Sequence, residues 1–69
     1  MAIEFTIEDE FIELIKLLKA TGLCATGGMA KIMVEEGQVA VNGEAESRKR
    51  RKIRKGDTVS FDGNDIVVT

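Results

Sequence analysis

The sequence predicts an α+β fold in one domain over residues 1–69: a two-helix pair packed on a small, mostly antiparallel sheet. Three observations lead there. Apolar residues recur at helical spacing in the first half of the chain and then, from Gln38, at a period of two. Two turn signals, Asn42-Gly43 and Asp62-Gly63-Asn64, divide the alternating half into hairpins. Sixty-nine residues suffice for one core and no more, with only about 60% of the unfolded chain's surface buried.

The elements follow in order. Ile3, Phe5 and Ile7 alternate, which suggests a short leading strand. A lead-in turn and a helix are expected over Thr6–Thr21. Thr6 is the expected N-cap, Glu8, Asp9 and Glu10 suit the positive end of the helix dipole, and Phe11, Leu14, Ile15 and Leu18 form the buried stripe. Lys16 and Lys19 stand near the C-terminal end, and Gly22 stops the helix. A short link, Gly22–Ala25, leads to a second helix over Thr26–Glu36, capped by Thr26 and ended by Gly37. Met29, Ile32 and Met33 are its expected apolar face. Val39 and Val41 begin the sheet, Glu44–Glu46 returns from the Asn42-Gly43 turn, Gly56-Asp57 opens a strand at Thr58–Phe61, and Ile66–Val68 closes the sheet.

Composition excludes several classes. There is no histidine, so Ser–His or Cys–His nucleophile systems and imidazole-bound metals are ruled out. One cysteine, Cys24, cannot build a zinc cage and reads as a small inert core residue. The acids do not follow Ca²⁺-loop spacing. No catalytic residue, metal or cofactor is expected, and the chain is expected not to be an enzyme. The start of the chain has no basic, apolar leader, no segment could span a membrane, and a single cysteine suits a reducing compartment. The expected location is the cytoplasm, with no membrane and no small-molecule substrate.

The formal net charge of −2 conceals a polarised chain. Met1–Glu13 carries five acids and no base, read as ordinary helix-start chemistry. Ser47–Gly56 carries seven bases and no acid: Arg48, Lys49, Arg50, Arg51, Lys52, Arg54 and Lys55. Crowded cations repel one another until a polyanion neutralises them and releases counterions. A solvated loop or a disordered targeting peptide would carry such charges too. Against both, Ile53 interrupts the run like an anchor and turn signals flank it. The start of the second helix, Thr26-Gly27-Gly28 with Lys31 one turn on, is a second candidate, because free N–H groups and the dipole favour a phosphate there. Phe5, Phe11 and Phe61 read as core, as do Met29 and Met33. Without Trp or Tyr, a base-stacking platform for single strands is not expected.

The segment GLCATGGMAKIMVEEGQVAVNGEAESRKRRKIRKGDTV resembles the RNA-binding domain named after small-subunit ribosomal protein S-four. The pattern falls on Gly22, Thr26, Ala30, Lys31, Gly37, Val39, Val41, Asn42, Gly43, Gly56 and Asp57, and the likeness runs from about Phe11 to Phe61. It is greatest to small stand-alone bacterial members, in which the domain is the whole protein. The resemblance implies the alpha-L helix pair, and a partner of structured RNA, ribosomal or transfer RNA, with a role on the ribosomal particle. It implies contacts from Thr26, Lys31, Asn42 and Gly43, with the basic loop matching in placement. Gly27 stands where many members have arginine, and Glu13, Leu14 and Ile15 stand where many have Arg-Leu-Asp. The burden therefore shifts to the basic loop, Lys31 and Lys19, with Gly27 and Gly28 letting the backbone approach. The loop is expected to lie beside the second helix as one cradle, and charge reversal at Arg50 and Arg51 to abolish binding while leaving thermal stability unchanged or higher. The alternative is an adaptor whose polarised surface meets an acidic protein partner.

Overall fold

The structure, a computed structural model, describes residues 2–69. The element order is β1 (Ala2–Phe5), β2 (Ile12–Glu13), α1 (Leu14–Ala20), α2 (Gly27–Glu35), β3 (Val39–Val41), β4 (Glu44–Ala45), β5 (Lys52–Ile53), β6 (Thr58–Phe61) and β7 (Asn64–Val68). Five strands form one sheet in the order β1-β7-β6-β3-β4, and β2 and β5 form a separate two-stranded ladder. The predicted α+β arrangement is the one observed. Every pairing is antiparallel except β1 with β7, where Ile3 lies opposite Ile66 and Phe5 opposite Val68.

Alternation builds the core. Val39, Val41, Val59, Phe61, Ile66 and Val68 point from the sheet into one cluster with Leu14, Leu17, Leu18, Ala30 and Val34 from the helices. Both hairpins turn on consecutive positive-φ residues, Asn42-Gly43 (52° and 86°) and Asp62-Gly63 (51° and 77°). Such turns match the strand twist. Cys24, in the link between the helices, is buried in this cluster, and its burial pushes the thiol pKa up.

Helix one differs from expectation at its start. It begins at Leu14, with Glu13 as N-cap and no acid in the first turn. Thr6 does not cap it; its hydroxyl bonds to that of Thr69 at 2.9 Å. The reason is competition: Ile12 and Glu13 pair with Ile53 and Lys52 in the β2–β5 ladder, so the chain is extended where the apolar period alone suggested helix. Leu17, absent from the predicted stripe, is fully buried, whereas Phe11 and Ile15 are half-buried.

Helix two runs close to its predicted bounds but is rotated. Met29 and Ile32 are 41% and 50% exposed, and Met33 is only partly buried. The inward face is Ala30 and Val34, one turn apart. Small side chains let helix two seat closely against helix one, and the larger ones turn outward.

Candidate nucleic-acid interface

The basic segment is an ordered part of the fold. Ile53 has no exposed surface and joins the core, as its position in the charge run suggested. The backbone around it closes the N-terminus of helix one. The carbonyl of Arg51 accepts from the Leu14 N–H (2.9 Å) and that of Lys49 from the Ile15 N–H (3.2 Å). First-turn N–H groups have no partner within their own helix. Here the cationic loop supplies two of the missing acceptors, so loop and helix one hold each other in place.

Glu46 organises the arginines. It is only 6% exposed, and its carboxylate accepts from Arg48 Nε (3.0 Å), Arg48 Nη2 (3.2 Å), the Arg48 backbone N–H (3.0 Å) and Arg51 Nη1 (2.7 Å). Hydrogen bonds from Arg48 and then Arg51 outweigh the cost of burial and hold its pKa down at about 2, against an ordinary 4.5. A carboxyl lowered in the folded state adds stability that is complete above pH 4.5 and is lost as the pH falls towards 2. Thermal melting followed down to acid pH is expected to show that loss. The variant Glu46→Gln should lack this part of the pH dependence.

Other acids touch the loop. Glu13 accepts from Arg50 Nε at 3.0 Å and lies 3.5 Å from Lys16 Nζ; the Arg50 hydrogen bond is the main reason its pKa is lowered. Arg50 and Lys16 are well exposed, so these pairs contribute little to stability. Lys52 Nζ sits 4.9 Å from the centre of the Phe11 ring, a cation–π contact. Arg48, Arg50, Arg51 and Lys52 line one shallow depression. Glu8, Asp9, Glu10, Arg54 and Lys55 line another. The N-terminal acids thus face the far end of the basic loop, rather than the first turn of a helix.

Helix two supplies the second predicted group. Thr26 caps it by accepting from the Met29 N–H at 3.1 Å. A Cβ at Gly27 would meet nothing within 4 Å, and one at Gly28 only the Thr26 hydroxyl at 3.8 Å. Core packing therefore does not demand these glycines. Gly27→Ala and Gly28→Ala are each expected to leave the melting temperature equal or a few degrees higher, because alanine lowers the entropy of the unfolded chain and favours helix by about 0.5–1 kcal/mol. Calorimetry checks this. Lower melting temperatures for both would mean that the first turn of helix two is more crowded than its surroundings indicate.

Lys19 and Lys31 are exposed and, like Lys49, Arg54 and Lys55, form no ion pair among the described residues. The predicted cradle is not closed by hydrogen bonds. Those that leave the loop go to β2, helix one, Glu46, Asp57 and Val68, and helix two provides none among the described residues.

Asn42 is engaged inside the fold at both ends of its amide. Nδ2 donates to Asp57 Oδ1 (3.0 Å) and Oδ1 accepts from the Thr58 N–H (2.9 Å), tying the β3–β4 turn to the start of β6. Burial pushes the Asp57 pKa up, but the Arg54 N–H and the Asn42 amide more than offset this and the net shift is down. Replacing Asn42, at φ 52°, with alanine is expected to cost about 1–3 kcal/mol, from the left-handed backbone and the lost hydrogen bonds. Denaturant unfolding measures it, and Asn42→Gly should recover the backbone part.

Residues 5–69, nearly the whole chain, match the S4 domain family. The chain belongs to the S4 domain family. Among relatives, this S4 domain is 51% identical to YbcJ of Escherichia coli over 57 residues, covering 83% of this chain and 81% of that one. It is 40% identical to the "Probable ribosome maturation protein RlbA" of Bacillus subtilis over 63 residues, covering 91% and 89%. The solution structure of E. coli YbcJ, described as revealing an alfaL motif involved in RNA-binding, superposes with a TM-score of 0.70 at 43% identity, over 99% of this chain and 85% of that one. The helix pair on its sheet is thus the alpha-L arrangement of the S4 domain. Among the described residues no cluster of three or more His, Cys, Asp or Glu could hold a metal ion, and no helix is long and apolar enough to cross a membrane.

Proposed function

We propose that this S4 domain binds structured RNA, ribosomal or transfer RNA, through phosphate contacts from the basic loop, with the N-terminus of helix two and Lys31 setting orientation. The observation that carries the reading is the ordered cationic loop. The backbone that carries seven like charges is held in place by a buried isoleucine, a short ladder and the first turn of helix one, although free solvation would relieve their repulsion. Cations on a fixed backbone present a template to a polyanion, with less backbone entropy left to lose on binding. The names of two relatives, one tied to RNA-binding and one to ribosome maturation, support the same partner class and a place on a maturing ribosomal particle. Arg and Lys contacts to phosphate position an RNA without reading its bases, so recognition by RNA shape is expected.

Fluorescence anisotropy with a labelled, structured ribosomal RNA fragment tests this. With about five phosphates neutralised, affinity should fall several hundredfold between 50 and 200 mM salt. Binding insensitive to salt, or absent at low salt, would remove the proposal. A protein purified from cells should carry 260 nm absorbance that nuclease removes; a partner that survives nuclease would point to an acidic protein instead.

A further inference from the structure

A chain that needs positive charge in this loop nevertheless buries a carboxylate at its base. Glu46 neutralises Arg48 and Arg51 at close range, which lowers the cationic field by one charge. Its position explains why it is there. Its own backbone N–H is fixed to the Val39 carbonyl at 2.9 Å, so the carboxylate projects from a sheet hairpin. It then grips Arg48 by Nε, Nη2 and the backbone N–H together, a two-pronged contact that sets the plane of the guanidinium. The Arg48 side chain remains 74% exposed, and its Nη1 donors are uncommitted. The same carboxylate draws in Arg51, only 33% exposed, whose carbonyl caps Leu14.

We infer that Glu46 is a positioning residue for RNA binding: it fixes the Arg48 guanidinium with one edge held against the protein and the other presented to a phosphate. The inference rests on the RNA-binding reading. Glu13 supplies a contrast. It also pairs with a loop arginine, but through a single bond to Arg50 Nε. Glu13 competes with phosphate, whereas Glu46 orients the group that meets it.

The two roles predict opposite signs for the same chemical change. Glu46→Gln and Glu13→Gln each remove one negative charge beside the loop, and charge alone makes both bind RNA more tightly. If Glu46 positions Arg48, Glu46→Gln instead binds about tenfold more weakly, as when one charge-assisted hydrogen bond is no longer formed. Glu13→Gln binds equally or about twofold more tightly. Affinity for a labelled RNA stem–loop with an internal junction is measured by anisotropy well below each variant's melting temperature.

A charge-conserving pair keeps the question open to refutation should Glu46→Gln unfold. Arg48→Lys retains the charge but loses the planar fork, so it should weaken binding several-fold with the salt slope unchanged, while Arg54→Lys, whose side chain has no carboxylate partner, should change it little. Equal or tighter binding by Glu46→Gln, or equal effects of Arg48→Lys and Arg54→Lys, overturns the positioning role. Wild-type protein that fails to bind the RNA at low salt overturns the RNA-binding reading itself, which separates the two failures.

Discussion

Reversing the charge at Lys49 and Lys55 is expected to weaken RNA binding by at least about a hundredfold at low salt, and to lower the salt slope by about two, because two phosphate partners are lost and two repulsions gained. Neither side chain forms an ion pair in the described structure, so the melting temperature should move by no more than a few degrees. The contrast is the double variant Arg50→Glu, Arg51→Glu. It should lose binding as well, but it should also lose stability. At position 51 the new carboxylate faces buried Glu46 where Arg51 Nη1 now donates at 2.7 Å, and at position 50 it faces Glu13. Charge crowding alone led to the opposite expectation for stability, and the ion pairs are the reason it is reversed. Anisotropy and thermal melting on both doubles decide the matter. Wild-type affinity for Lys49→Glu with Lys55→Glu would show that the loop is not the RNA contact.

Ile53→Ala is expected to remove about 2–5 kcal/mol, the usual range for emptying a fully buried isoleucine site. At about 4–8 °C per kcal/mol for a domain of this size, the melting temperature should drop by about 10 °C or more. The total stability of small domains is itself only about 5–15 kcal/mol, so a large part of it is at stake. RNA affinity should fall as well, even at temperatures where helices and sheet persist, because the anchor of the basic loop and the Ile12–Ile53 ladder pair are lost together. Ile53→Val should cost about 0.5–1.5 kcal/mol and keep binding near wild type. Circular dichroism melts and anisotropy at low temperature check both. A stable Ile53→Ala protein with intact binding would mean that the loop keeps its shape without its apolar anchor.

Much of this arrangement was legible in the residues. The hairpins were readable because Asn-Gly and Asp-Gly are suited to two consecutive positive-φ positions. Thr26 was readable as a cap because its hydroxyl can accept from a first-turn N–H; Thr6, with the same signal, bonds to Thr69 instead. The anchoring of the basic loop was readable from one apolar residue among seven cations. The ordered set of residues from Gly22 to Asp57 resembled the S-four family, and the family match over residues 5–69 bears that resemblance out. Periodicity failed at the start of helix one, where residues 12 and 13 lie within the predicted helical span but pair with residues 53 and 52. It failed again on helix two, where large apolar residues suggested the inner face but small Ala30 permits the closer approach. Leu17 stood at helical spacing from Leu14 and could have been included in the stripe.

The residues by themselves determined the class of fold, the alternating strands after Gln38, the turns, the cationic loop and its apolar anchor, because these depend on neighbours close in sequence: alternation, turn chemistry, caps and local charge. Tertiary structure alone decided where helix one begins, which face of helix two is inward, that Asn42 is spent on Asp57 and Thr58, and that Glu46 rather than solvent holds Arg48 and Arg51. Each of these is a competition between a local preference and a partner distant along the chain or reached only on folding. In so thin a core the outcome turns on burial and hydrogen bonds that exist only once the chain has closed on itself.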